Sequence, residues 1–225
     1  MDNLLIFFEI LVVNLLLSGD NAIVIAMVSS HLPVWQRNKA IWWGTFAAIL
    51  LRCLLVIVAL PLLKVPYLQA IGGVLLFIIA VKLLLDTQSK EENQLGIAKK
   101  MTIGAAIWTI LTADFIMSLD NVLAIAAVAH GDLVLIMLGI VISIPIIIWG
   151  SKVIQNLIHK YRFISFIGSA LLAFAAGEMF IKDKAMQLII EHALPGRETL
   201  IPLLCVPLVI IAGILKKPSI VEKNK

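Results

Sequence analysis

Charge is scarce in this chain: Asp, Glu, Lys and Arg make up only 14% of its 225 residues, while 61% are apolar. Soluble domains carry about a quarter charged residues, so a water-soluble enzyme, a disordered chain and a nucleic-acid binder are all excluded. Cysteine is nearly absent, and Cys53 and Cys205 both fall inside apolar runs, which argues against a disulfide framework or a cysteine metal site. No basic stretch follows Met1 and no small-residue cleavage site follows the first apolar run, so that run reads as a retained span and not a signal peptide. No P-loop is present to hydrolyse a nucleotide. With a mean hydropathy of +1.06, the chain reads as an integral membrane protein.

What remains is a series of long apolar runs. A helix needs about 20 mostly apolar residues to cross the hydrocarbon core. Residues 4–29, 41–63, 67–85, 101–129, 133–150, 163–181 and the shorter 200–215 predict seven spans. With seven spans, one set of loops and tails holds twelve Lys and Arg residues, from Arg37 and Lys39 to Lys223 and Lys225; the opposite set holds four, Lys64, Lys182, Lys184 and Arg197. The richer side is expected to be cytoplasmic. This predicts a multi-pass protein of the cell membrane with the N-terminus outside and the C-terminus inside, and reads the net charge of +4 as topology.

The chain also repeats itself. At a shift of 100, Ser18, Asp20, Asn21, Ile25, Ala26 and Val28 recur as Ser118, Asp120, Asn121, Ile125, Ala126 and Val128; at a shift of 96, Ile71-Gly72 recurs as Ile167-Gly168. His31 and His130 close the two motif helices at nearly equivalent places, where a capping role is expected. Each repeat holds three spans, an odd number, so the second copy enters the membrane from the opposite face, as in many secondary transporters. The expected architecture is an all-α membrane protein of about seven helices. Residues 1–88 form a first three-helix repeat, 89–100 a cytoplasmic linker, 101–182 a second, inverted repeat, and 183–225 a loop, a seventh helix and a basic tail.

Five acidic residues, Glu9, Asp20, Asp114, Asp120 and Glu178, lie inside apolar spans. A lone carboxylate at a helix centre costs about 2.5 to 3.5 kcal/mol, so each needs a compensating role. Residues seven apart share a helix face, which puts Asn14, Ser18 and Asn21 on one stripe and Asp114, Ser118 and Asn121 on its counterpart. Asp20, Asn21, Asp114, Asp120 and Asn121 form a hard oxygen set without sulfur, suited to Mg²⁺, Mn²⁺ or Ca²⁺. Glu9, about 16 Å along the helix from Asp20, together with Glu178 and Arg52, is a candidate for gating or proton coupling. Arg52 lies too deep to reach water and is expected to pair with an intramembrane carboxylate. No resident cofactor is expected beyond a transported ion.

The doubled motif Ser18-Gly19-Asp20-Asn21-Ala22 and Ser118-Leu119-Asp120-Asn121-Val122 resembles the TerC family of bacterial integral membrane proteins, over roughly residues 4–215. That family is similar in plan to the LysE-like transporters. The resemblance implies divalent metal handling, with Mn²⁺ efflux the associated activity and the acidic metal positions at Asp20 and Asp120, beside Asn21 and Asn121. Better-known members often carry Asp-Ser-Ile-Pro where this chain has Leu119-Asp120-Asn121-Val122, which marks a subfamily. Expected partners are a divalent cation and the lipid bilayer; a homo-oligomer and partners among secreted enzymes or the export machinery stay open. Two rivals remain: a membrane partner that delivers metal to secreted enzymes, and an intramembrane aspartyl protease, in which two aspartates share a proton. The second is disfavoured by the Asn that follows each Asp.

Overall fold

A computed structural model of the chain describes residues 12, 19–62, 65–89, 101–128, 133–161, 163–193, 196 and 199–215. Among them are eight helices: α1 (Gly19–Ser30), α2 (Val34–Leu62), α3 (Leu68–Ser89), α4 (Ile103–Val128), α5 (Leu133–Lys160), α6 (Phe163–Lys182), α7 (Lys184–Ala193) and α8 (Leu200–Leu215). No strand occurs among the described residues. The expected all-α membrane architecture is therefore observed. Val34–Val58, Leu68–Thr87, Ile136–Lys160 and Phe163–Lys182 are long and apolar enough to cross a membrane, with Ile103–Leu119 and Leu200–Leu215 as shorter apolar helices.

Several boundaries differ from expectation: α2 starts at Val34 and not at residue 41, so that Arg37 and Lys39 are helical, and α3 runs on from residue 85 to Ser89. The fifth helix does not stop at Gly150 but runs on to Lys160, and Gln155 in the added turns is buried. The stretch after residue 182 is not all loop, because α7 forms there. It is too short and too charged at its ends to register as a span. Asp183 starts it: its Oδ1 accepts from the Ala185 and Met186 amides at 2.9 and 3.3 Å, an N-cap. Its Oδ2 accepts from the Ala70 amide near the start of α3, at 3.3 Å. One buried carboxylate thus ties two helix N-termini together.

The helices are apolar on both faces, and their polar residues are concentrated on the buried one. On α2, Trp43, Phe46, Leu50, Leu54 and Ile57 are exposed at helical spacing, while Ile41, Thr45, Ala48, Arg52 and Leu55 on the opposite face are buried. Exposed Trp and Leu suit a lipid-facing surface, and the buried face holds the hydrogen-bonding groups that lipid cannot satisfy.

Packing interleaves the two repeats. The most extensive interfaces are α3 with α6 and α2 with α4, and α1 packs on α5. Exchanging the halves turns the α2–α4 interface into the α5–α1 interface and leaves α3–α6 unchanged. Direction follows from paired residues. Gly44 lies against Ile110, where an added Cβ would meet Ile110 Cδ1 at 2.7 Å, and further along both helices Arg52 meets Asp114 and Ser118. The α2 and α4 helices therefore run parallel. In the same way Ala22 faces Gly150 and Ser29 bonds Gln155 at 2.7 Å, so α1 and α5 run parallel. The short turn through His31 reverses the chain between α1 and α2. Consequently α4 runs opposite to α1, the relation an inverted repeat demands.

Small residues let the helices approach. A Cβ on Gly73 would lie 2.6 Å from the Ala176 carbonyl oxygen across the α3–α6 interface, and one on Gly177 would lie 2.5 Å from Pro202 Cα on α8. Membrane helices associate through such close packing because lipid supplies no hydrophobic drive between them.

Candidate cation site

The α1, α2 and α4 helices meet at the junction of the repeats. The stripe expected on the fourth span is present, since Asp114, Ser118 and Asn121 are all buried on α4. Opposite them, α2 presents Arg52, whose Nη2 donates to Asp114 Oδ1 at 2.7 Å and whose Nε donates to Ser118 Oγ at 3.0 Å. The Ser118 hydroxyl in turn donates to Asp114 Oδ2 at 3.4 Å. This is the intramembrane carboxylate that Arg52 requires. The two side chains retain only 3% and 7% of their exposure, so the ion pair is almost fully removed from solvent.

The first-repeat motif stands beside this pair. Asp20, half-buried at the start of α1, interacts electrostatically with both Arg52 and Asp114, and its Oδ1 accepts from the Asn21 amide at 2.8 Å. Asn21 is 3% exposed, yet neither its side-chain oxygen nor its nitrogen has a hydrogen-bond partner among the described residues. Leaving such a group unsatisfied costs about 1–3 kcal/mol. A cation taken up by the amide oxygen is one way to recover it.

Of the residues predicted for the site, Asp20, Arg52 and Asp114 are brought together, and Asn21 and Asn121 are buried on the same two motif helices. The side chain of Asp120 and the whole of Glu9, Asn14, Ser18 and His130 lie outside the described residues. Among the described side chains no three His, Cys, Asp or Glu residues converge on one point. Glu178 bonds Lys182 one turn on at 3.5 Å, both side chains about half exposed. His31 Nε2 hydrogen-bonds Thr87 Oγ1 at 3.2 Å, linking the C-terminal ends of α1 and α3, while Arg37 Nε caps the Leu32 carbonyl at 3.0 Å. A cavity of about 730 Å³ between α2, α3 and α4 has Thr112 as its one side-chain oxygen and apolar residues such as Leu54 and Trp108 around it, so it is not built for a cation.

Two polar features escaped the sequence reading. Asp183 gave a signal, a helix-capping residue type directly before Lys184. The Gln155–Ser29 bond gave none, because Gln155 lay past the expected end of its span.

A helical bundle with an apolar exterior and a buried ionic cluster where two repeats meet defines a multi-pass membrane protein of transporter-like build. The chain belongs to the TerC family: the profile of the integral membrane protein TerC family matches residues 1–220. It is 42% identical over 214 residues to YjbE of Bacillus subtilis (strain 168), an uncharacterized membrane protein, with 95% of each chain covered. It is also 32% identical to YceF of the same organism, over 64% of this chain and 58% of that one. To YegH of Escherichia coli (strain K12), a UPF0053 protein, it is 28% identical over 73% of this chain and 36% of that one. No solved structure matches the chain.

Proposed function

We propose that the protein exports a divalent metal cation, Mn²⁺ foremost, across the cell membrane by alternating access. The ion enters from the cytoplasm, is held between the Asp20-Asn21 and Asp120-Asn121 motifs, and leaves outside as the two repeats rock against each other. The observation that carries this reading is Asn21, a buried side-chain amide next to Asp20 at the repeat junction that has no partner among the described residues. Interhelical hydrogen bonding, the usual reason for a buried Asn in a membrane helix, does not account for it.

The oxygen-rich residue set favours a hard cation. Moving two positive charges out against 100 mV costs about 4.6 kcal/mol, and inward protons are the proposed source, with N-terminus outside and C-terminus in the cytoplasm. The test is metal content. Cells expressing Asp20→Asn or Asp120→Asn are expected to accumulate Mn²⁺ and grow sensitive to it, and wild-type efflux by both variants would refute the assignment. Mn²⁺ flux in liposomes holding this protein alone separates autonomous transport from delivery to a partner.

A further inference from the structure

The sequence groups Asp114 with the metal ligands, but its surroundings give it a different part. Its counterpart in the first repeat is the uncharged Asn14, so the motif stretch 114–121 carries one carboxylate more than the stretch 14–21. The α2 helix sets a positive charge directly against it. Each carboxylate oxygen accepts one hydrogen bond, Oδ1 a short one from Arg52 Nη2 at 2.7 Å and Oδ2 a long one from the Ser118 hydroxyl at 3.4 Å. Hard divalent cations need oxygens at about 2.0–2.6 Å. An ion that close to Oδ1 would stand against a guanidinium in a poorly screened interior, where like charges repel strongly.

Resting on the reading of the junction as a cation site, we infer that Arg52 and Asp114 form a neutral pair, so that Asp114 is not a cation ligand. Arg52 is then a positioning and charge-setting residue. It holds Asp114 and Ser118 in place, and it fixes the charge balance of the junction without touching the cargo. A neutral pair of similar shape is expected to do the same, because the balance is unchanged when both charges are removed together.

The experiment is Mn²⁺-dependent thermal stabilisation of the purified full chain, with the metal-free melting temperature recorded for each variant. Asp114→Asn leaves Arg52 unbalanced beside Asp20, and the Mn²⁺ concentration for half-maximal stabilisation is expected to rise on the order of tenfold or more. The double variant Arg52→Gln with Asp114→Asn removes both charges and is expected to return within about threefold of wild type. A ligand role for Asp114 predicts instead that the double variant stays as weak as the single one, and that result overturns the inference alone. If Asp114→Asn does not fold, the double variant by itself decides in the same way. Failure of Mn²⁺ to stabilise the wild type, or stabilisation unaffected by Asp20→Asn, removes the cation site and this inference with it.

Discussion

Arg52 and Asp114, 62 residues apart and on different repeats, meet at 2.7 Å with almost no exposure to solvent. Because α2 and α4 run parallel, the pair joins the second helix of one repeat to the first helix of the other. It is an ionic link across the repeat junction, reinforced by Ser118.

Breaking that link from one side is expected to be costly. Arg52→Ala leaves a buried carboxylate uncompensated, and removing one partner of a buried ion pair destabilises by about 3–5 kcal/mol. Reversible unfolding of the detergent-solubilised protein measures this. An Arg52→Ala change below about 1 kcal/mol, the range of surface pairs, is incompatible with the buried geometry.

Gly73 is expected to be intolerant of even one added carbon. A Cβ there would lie 2.6 Å from the Ala176 carbonyl and 3.1 Å from the Phe180 amide nitrogen, both backbone atoms that cannot swing aside. Gly73→Ala is expected to lower stability by about 1–3 kcal/mol through overpacking. Gly104→Ala is the control, since nothing lies within 4 Å of that position. A melting temperature for Gly73→Ala equal to that of Gly104→Ala would contradict the close α3–α6 approach.

Asp183 is expected to matter for order at the membrane surface. Asp183→Ala removes the cap of α7 and the bond to the Ala70 amide together, at a cost of about 0.5–2 kcal/mol for the cap alone. Hydrogen exchange read at Ala185, Met186 and Ala70 is expected to quicken in this variant. Protection unchanged at Ala70 would show that the tie between α7 and α3 does not hold in solution.

Much of this protein was legible in its sequence because lipid imposes simple rules. Apolar run length located the spans, but α2 begins earlier, α3 and α5 end later, and α7 was not expected. These departures have one cause: polar residues such as Arg37, Lys152, Gln155 and Lys184 continue or begin a helix although their polarity looks like the end of one. The repeat was legible as well, since polar residues at matched spacing inside apolar helices are too expensive to recur by accident.

Sequence by itself determined the class of protein, the two motifs and the requirement that Arg52 have a carboxylate partner. In that reading all three of Asp20, Asp114 and Asp120 were candidate metal ligands, and the family resemblance placed the acidic metal positions at Asp20 and Asp120. Only the tertiary structure supplied their partners: Asp114 is bound by Arg52 and Ser118, whereas Asp20 lies beside Asn21, whose side-chain amide has no partner among the described residues. The physical reason is that the environment of a buried charge comes from helices distant in sequence. Span length and periodicity describe one helix at a time, whereas which residue of α2 faces which residue of α4 is fixed by close packing at positions such as Gly44 and Ile110.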